Sequence, residues 1–397
     1  MIVGHYEHDI WAKGGMASYI RRIASAQQAL GHQVYYFSQR PSTGLSEGET
    51  PIIVPTETDL YQQAQALGVD ILHLHCSVHE APPNSLPAVR TLHEHQPYCP
   101  SGSRFLGRWQ KPCDRTYSLH GCMWGRVVDR CGSVRPHKLQ YDFQETWYEM
   151  ETLAEIPVIT VSHFLKAQMV RAGYAEEMIE VLHLMPPDVS EVAPMAMGGI
   201  PHFVFVGRIE ASKGVEWLLR ALRRVTVPVH LDIAGTGNQE AEMQRLCSNL
   251  GLDDRVTFHG WVEQSQVKDL IRGSRAVVFP SVWHEPGGTI AFESMVQGRP
   301  VVMSRVGGMP EVVLEGVNGV LTLPNDVMGL AGCIERLSLD GEFAQRMGTE
   351  GRRMATEKYA LRIHMEKLMG LYGKTMRSKS VIGRAVDKSL ELSICDF

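Results

Sequence analysis

The chain has 397 residues, 44% of them hydrophobic and 21% charged, with a formal net charge of −5. That length predicts about two or three domains, each large enough for its own core. The acidic balance argues against nucleic acid as the main partner. No run of about 18 apolar residues is present, so no transmembrane helix is expected. Met1-Ile-Val3 is too short for a signal-peptide core, because charged and polar residues follow at once. Eight cysteines then read as reduced thiols, and the chain as cytoplasmic.

Met1-Ile-Val3 reads as a strand entering a loop, residues 4–15. Met16, Tyr19, Ile20, Ile23 and Leu30 mark one face of a helix that Gly31 closes, and Val34-Tyr-Tyr-Phe37 is a second strand. This is the βαβ opening of a Rossmann-like domain. Its loop holds Trp11-Ala-Lys-Gly-Gly15 and no Gly-x-Gly-x-x-Gly, so a dinucleotide reading is poor. Residues 39–56 read as a mobile surface loop. Residues 69–75 and 89–94 are two more strands. Strand C-terminal ends form the cleft of open α/β sheets, which places His75 and His93 there. A satisfied structural role is nevertheless the better reading for His73 and His75.

The stretch from Cys99 to Cys131 is basic and aromatic. Cys99, Cys113, Cys122 and Cys131 are separated by 13, 8 and 8 residues. Four thiols are a possible ligand set for zinc or an iron–sulfur cluster. No Cys-x-x-Cys knuckle is present, so separate buried thiols are the default and no metal ligand is assigned. Arg104, Arg108, Lys111, Arg115, Arg126, Arg130 and Arg135 with Trp109, Tyr117 and Trp124 suit a sugar-chain acceptor, a phosphorylated acceptor or an anionic membrane surface. A solvated basic loop fits equally well. Residues 157–161 are the next strand, 162–173 a capped helix and 179–183 the last strand of a first domain, residues 1–190. Residues 190–200 read as a linker.

The second domain, residues 200–358, opens with the strand His202-Phe-Val-Phe-Val206 and the loop Gly207-Arg-Ile-Glu-Ala-Ser-Lys-Gly214. A helix follows on Val215, Leu218, Leu219 and Leu222. Arg208 brings a planar fork and Lys213 a point charge to one loop, which suits phosphate. Residues 229–237 are a strand running into a glycine loop, and 255–260 a further strand. Ala276-Val-Val-Phe279 is a buried strand that Pro280 ends. Glu285, Pro286, Gly287 and Gly288 form a loop, and a helix starts near Thr289. A glycine loop at a helix N-terminus is an anion site. Glu285 and Glu293 flank it, and carboxylates accept hydroxyl hydrogen bonds. A ligand with hydroxyls on both sides of its phosphates is a sugar nucleotide. Residues 300–303 and 319–323 are strands, 359–376 a helix, and 377–397 an irregular tail.

The segment Glu285-x7-Glu293, followed by Gly307-Gly-Met-Pro-Glu311 and Gly316-Val-Asn-Gly319, resembles the donor-binding segment of retaining GT-B glycosyltransferases, family 4. The resemblance spans most of residues 1–375 and is tighter in the second domain. It implies two Rossmann-like domains facing across a donor cleft, with the 359–376 helix crossing back onto the first. It implies that Arg208 and Lys213 clamp the donor diphosphate, that Glu285 contacts the donor sugar and Glu293 the ribose, and that Gly207 and Gly235 line the nucleotide. It further implies that Gly287, Gly288 and Thr289 receive phosphate, that Gly14 and Gly15 let backbone approach the donor phosphates or the acceptor across the cleft, and that Val262 lies near the base. Thr91-Leu-His-Glu94 stands where the family has Thr-x-His-Asp, which implies His93 near the reacting centre. Where the family continues Pro-Asn-Gly-Val-Asp, this chain has Leu184-Met-Pro-Pro-Asp188, without the glycine.

The implied reaction is sugar transfer from a nucleotide-sugar donor to a saccharide, lipid-linked or other hydroxyl acceptor, with retention by front-face attack. No cofactor is expected, no Asp-x-Asp metal motif is present, and a uridine donor is preferred over a guanosine one. Peripheral contact at the inner membrane face stays open. So do three other readings: a GT-B sugar-nucleotide epimerase, a non-catalytic binding protein, and a metal-binding or redox-sensing protein on this scaffold. The intact Glu-x7-Glu and Arg/Lys loop argue against the first two.

Overall fold

The computed structural model describes residues 1–12, 14–41, 50–187 and 199–394, with side chains through 377. The first domain is built on seven parallel strands. In chain order they are β1 (Ile2–Glu7), β2 (Gln33–Ser38), β3 (Ile52–Ile53), β4 (Ile71–Leu74), β5 (Ala88–Leu92), β8 (Val158–Thr160) and β9 (Ile179–Val181), paired in the order β3-β2-β1-β4-β5-β8-β9. Between β5 and β8 lies an antiparallel ribbon of β6 (Phe105–Leu106) and β7 (Lys111–Pro112). The helices of this domain are α1 (Gly15–Ala29), α2 (Glu57–Ala66), α3 (Leu119–Val127), α4 (Pro136–Thr152) and α5 (His163–Arg171). β4 and β5 are buried at every residue, as strands of a parallel sheet covered on both faces must be.

The second domain has six parallel strands: β10 (His202–Val206), β11 (His230–Ala234), β12 (Val256–Gly260), β13 (Ala276–Phe279), β14 (Val301–Ser304) and β15 (Gly319–Thr322). Their order is β12-β11-β10-β13-β14-β15. The helices are α6 (Val215–Leu222), α7 (Glu240–Asn249), α8 (Gln264–Gly273), α9 (Thr289–Val296), α10 (Met309–Val312), α11 (Val327–Leu339) and α12 (Gly341–Glu357). A last helix, α13 (Leu361–Ile394), returns to the first domain. There its Tyr372 hydroxyl meets His73 Nδ1 at 2.6 Å and accepts from Gln27, and Lys374 pairs with Glu180 at 2.6 Å.

Several sequence expectations change. β1 runs on to Glu7, where a loop from Gly4 is expected. Gly4 is not a break: a Cβ there would stand 2.9 Å from the Phe37 ring, so the glycine serves close packing inside the sheet. Ile52–Ile53 extends the sheet at its edge within the expected 39–56 loop, of which 42–49 lie outside the described residues. Most of the expected linker, with Asp188, also lies outside them. Helix α13 continues to Ile394, through the expected irregular tail.

His75 does not face a cleft. His5, His73 and His75 are buried together, with His5 Nδ1 3.1 Å from His75 Nε2 and His73 Nε2 2.6 Å from Thr91 Oγ1. Burial lowers all three imidazoles, His5 to about 4, so they are neutral hydrogen-bonding groups in the core.

The two domains meet through Glu311, the glutamate of Gly-Gly-Met-Pro-Glu. Its carboxylate accepts the His163 and Phe164 amides at 2.8 and 2.7 Å and faces His183 Nε2 at 2.9 Å. Ser162 accepts the Leu165 amide, so three of the four open donors of α5 are satisfied, two of them from the other domain. Burial opposes the charge of Glu311, but His183 and the two amides prevail and lower its pKa from 4.5. A lowered folded pKa means the contribution is present above about pH 4.5 and is lost as pH falls through the folded value. Glu311→Ala is expected to cost about 1–3 kcal/mol. The loss should be seen in thermal unfolding at pH 7 and should shrink in scans below pH 4.

Candidate active site

The C-terminal ends of both sheets open on one cleft of about 900 Å³. Parallel sheets place ligands there. Gly14, Gly15 and His93 line it from the first domain, and Gly207, Arg208, Lys213, Glu285, Gly287, Gly288, Thr289 and Glu293 from the second. Two helices point their N-termini into it: neither α1, after Gly14, nor α9, after Gly288, has a side-chain cap. The ideal Cβ of Gly15 stands 3.9 Å from Thr289 Cγ2, so the two helix starts face each other across the opening. Uncapped amides and the positive ends of two helix dipoles make the space between them attractive to anions.

Lys213 is held by backbone constraints as much as by its own bonds. It ends the 3-10 turn Ala211–Lys213, and Gly214 follows with φ 76°. A Cβ on Gly214 would stand 2.0 Å from the Pro280 carbonyl oxygen, so the residue after this lysine must be glycine. Lys213 Nζ donates to Glu285 Oε1 at 2.8 Å and lies 4.6 Å from the centre of the Trp283 ring. Ser281 Oγ, at 2.8 Å, and Trp283 Nε1 donate to the same oxygen. With three donors on Oε1, Glu285 Oε2 takes no hydrogen bond among the described residues and remains for a ligand. Arg208 differs: its side chain is 70% exposed and pairs with Glu210 at 2.9 Å. It lines the cleft while paired with Glu210, and its guanidinium is freed for a ligand by turning from that carboxylate.

His93 lines the cleft with Nε2 unbonded. Burial lowers its pKa to about 3, helped by Arg90 and His364, so it meets a ligand as a neutral imidazole. Tyr19 packs edge-on at 5.1 Å, and its hydroxyl is 3.1 Å from His364 of α13. Glu293 sits about one turn into α9, and burial raises its carboxyl above the usual range, although a Gln264 hydrogen bond and the Lys268 charge pull it down.

Two expected residues stand outside the cleft. Gly235 lies behind Gly207: its Cβ would be 1.9 Å from the Gly207 carbonyl oxygen, so the glycine loop after β11 packs under the phosphate loop. Val262 is partly buried against the core, and Gln264 of α8 lines the cleft instead. Residues the sequence reading missed are Tyr19 and Arg22 on α1 and Trp283 before Glu285. The spacing of Tyr19 and Arg22 from Gly15, four and seven along a helix, is the signal that places them on one face with it.

Only part of the basic insertion between β5 and β8 is open at the surface: Arg108, Lys111, Arg130 and Arg135 are exposed. Arg104 and Arg126 are buried, Arg126 pairs with Asp142 at 2.7 Å and Arg115 with Asp129 at 2.6 Å. Its cysteines are not separate buried thiols either: Cys99, Cys113, Cys122 and Cys131 line one small cavity.

Two Rossmann-like domains with this cleft between them define the GT-B fold of glycosyltransferases. Residues 198–354, most of the second domain, match the family model of glycosyl transferases group 1. An uncharacterized glycosyltransferase of Methanocaldococcus jannaschii is 35% identical over 159 residues, 40% of each chain. The alpha-D-kanosaminyltransferase of Streptomyces kanamyceticus is 31% identical over 43% of this chain and 45% of its own. The matches thus span less than half the length of these curated relatives. Among solved structures, the sucrose-phosphate synthase of Thermosynechococcus elongatus superposes with a TM-score of 0.69 at 20% identity, over 95% of this chain and 99% of its own. Anabaena HepE in complex with UDP-glucose does so at 0.68 and 18%, over 95% and 100%. At such identities the likeness is one of fold. No helix among the described residues is long and apolar enough to cross a membrane.

Proposed function

We propose that the chain is a retaining glycosyltransferase that moves a sugar from a nucleoside diphosphate donor to a hydroxyl acceptor, with no metal ion in the transfer step. The observation that carries this reading is Lys213, held against Glu285 at 2.8 Å in a cleft where the uncapped α9 N-terminus also opens. A diphosphate there meets Lys213 and the amides near Gly287–Thr289, and Arg208 closes on it from Glu210. Breaking the anomeric bond puts negative charge on the diphosphate, which these groups stabilise where it develops. Glu285 Oε2 and neutral His93 take hydroxyls of the donor sugar, and Glu293 takes the ribose. Front-face attack lets the acceptor proton pass to the departing phosphate oxygen, so the chemistry asks for no base on the opposite face. A uridine donor is preferred, supported by the uridine ligand of the structurally similar HepE. Exposed Trp109, Trp124 and Trp147 beside the basic insertion support a lipid-linked or anionic acceptor at a membrane surface.

A donor panel tests this. Uridine, guanosine and adenosine diphosphate sugars are added to the full chain, and thermal unfolding and slow nucleotide release are followed. Donor at 100 times its Kd should add about 2.7 kcal/mol of stability. The expected result is a shift of several degrees with one base class and release of its nucleotide. Folded protein that shifts with none would overturn the reading.

A further inference from the structure

The insertion of residues 99–135 lacks what usually holds such a segment. Leu106 is the only buried hydrophobic residue among residues 100–135, while Trp109, Leu119, Trp124, Val127 and Val134 are exposed. Its strands are two residues long, and three non-glycine residues, Arg104, Gln110 and Arg130, hold positive φ. Such backbone costs about 1–3 kcal/mol per residue unless the surroundings enforce it. Small units without a core are commonly stapled by disulfides or a metal. No disulfide is present here: all four cysteines are free.

The four thiols meet although they come from separate places. Cys99 ends the turn after β5, Cys113 follows β7, Cys122 is on α3 and Cys131 follows α3. Together they line a cavity of about 20 Å³. Among the described residues no three of these sulfurs lie within 4.8 Å of one another. Four sulfurs around one zinc stand about 3.8 Å apart, from bonds of about 2.3 Å, and leave no room for a water. The void between the thiols is therefore wider than a closed zinc tetrahedron.

Arg104 also lines this cavity and is only 2% exposed. Its guanidinium donates to two neutral oxygens, Arg115 O and Gln168 Oε1, its Nε has no partner, and among the described residues no carboxylate pairs with it. A buried cation without a directly paired anion is expensive, and Asp114, already bonded to His284, acts on Arg104 only at longer range. Thiolates bound to a metal would be the missing anions: four of them around a dication carry a net charge of about −2.

We propose that Cys99, Cys113, Cys122 and Cys131, deprotonated on binding, hold a thiophilic metal centre that staples this insertion. Zinc and an iron–sulfur cluster are the two occupants that four thiolates suit. The centre would also steady the donor loop. Asp114, next to Cys113, accepts from His284 Nε2 at 2.8 Å, while His284 Nδ1 accepts the Gly307 amide at 3.2 Å. His284 precedes Glu285. Across the same interface, Asn325 donates to Gln110 O at 2.6 Å. A centre that orders Cys113 thereby orders the carboxylate that anchors the donor loop.

The test is metal and acid-labile sulfide analysis of the full chain, purified without oxygen and without added metal. Zinc is counted, iron is counted, and the visible spectrum is recorded. About four irons and four sulfides per chain with a broad visible absorption identify a cluster, and about one zinc without colour identifies a single ion. Either result upholds the four-thiolate centre and names its occupant. Less than a tenth of an equivalent of both overturns it. Single Cys→Ser changes at the four positions are expected to lower the bound metal at least fivefold, with Cys247→Ser and Cys333→Ser leaving it unchanged. Should those four variants fail to fold, stepwise mercurial titration of the native chain serves instead. Release of all metal as four thiols react is expected, and release without thiol consumption would overturn the assignment. Metal content is read without donor or acceptor, so failure of the transferase reading leaves this result standing.

Discussion

Lys213→Ala is expected to lower kcat/KM for the sugar donor by about 30- to 1000-fold, the 2–4 kcal/mol typical of removing a group that meets developing charge. The structure separates this effect from that of Arg208→Ala. Lys213 is nearly buried and paired with Glu285, so its removal also strands a carboxylate beside Ser281 and Trp283. Breaking a buried pair by deleting one partner destabilises by about 3–5 kcal/mol. Lys213→Ala should therefore lose both turnover and thermal stability. Arg208 is exposed and, among the described residues, pairs only with Glu210, so Arg208→Ala should lose turnover at nearly unchanged stability. The double variant Lys213→Ala/Glu285→Gln removes the stranded charge and is expected to recover stability without recovering activity. Near-normal turnover in both single variants would disprove the clamp.

The second domain is readable in sequence because its strands are short apolar runs closed by glycine or proline. Ala276-Val-Val-Phe279 before Pro280 is one example. Its phosphate loops are readable because glycine is required there by backbone contacts, as at Gly214 against Pro280. Helix α4 shows the opposite case. It buries Asp142, Glu145, Thr146 and Glu149, with Glu149 paired to Arg90 at 3.0 Å, so its inward face is polar and gives no apolar period to read. The cleft residues split the same way. Arg208 and Lys213 announce themselves by charge in a glycine loop. The motif Gly307-Gly-Met-Pro-Glu311 marks Glu311, but its role depends on partners 128 to 148 positions away, which nothing local shows. The four cysteines stand out in the sequence, but their meeting in one cavity does not, because they arrive from four separate places without the short spacing that announces a metal knuckle.

Gly307 offers a prediction in which two glycines with the same backbone need behave differently. Gly307 has φ 58° and Gly316 has φ 72°. A Cβ on Gly316 meets nothing within 4 Å, whereas one on Gly307 would stand 2.3 Å from the Glu285 carbonyl oxygen and 2.7 Å from its amide nitrogen. Both alanine variants incur the left-handed strain of about 1–3 kcal/mol. Only Gly307→Ala must also move the Glu285 backbone, which Gly308 N and the His284–Gly307 hydrogen bond hold in register. A displacement of about 1 Å at such a site costs about 100-fold in rate. Gly316→Ala is therefore expected to unfold a few degrees lower with turnover near normal. Gly307→Ala is expected to lose about 100-fold in kcat on top of a similar or larger loss of stability. Equal turnover in the two variants would mean that the contact between Gly307 and Glu285 does not set the reacting geometry, and that the donor loop is positioned by Lys213 and Asp114 alone.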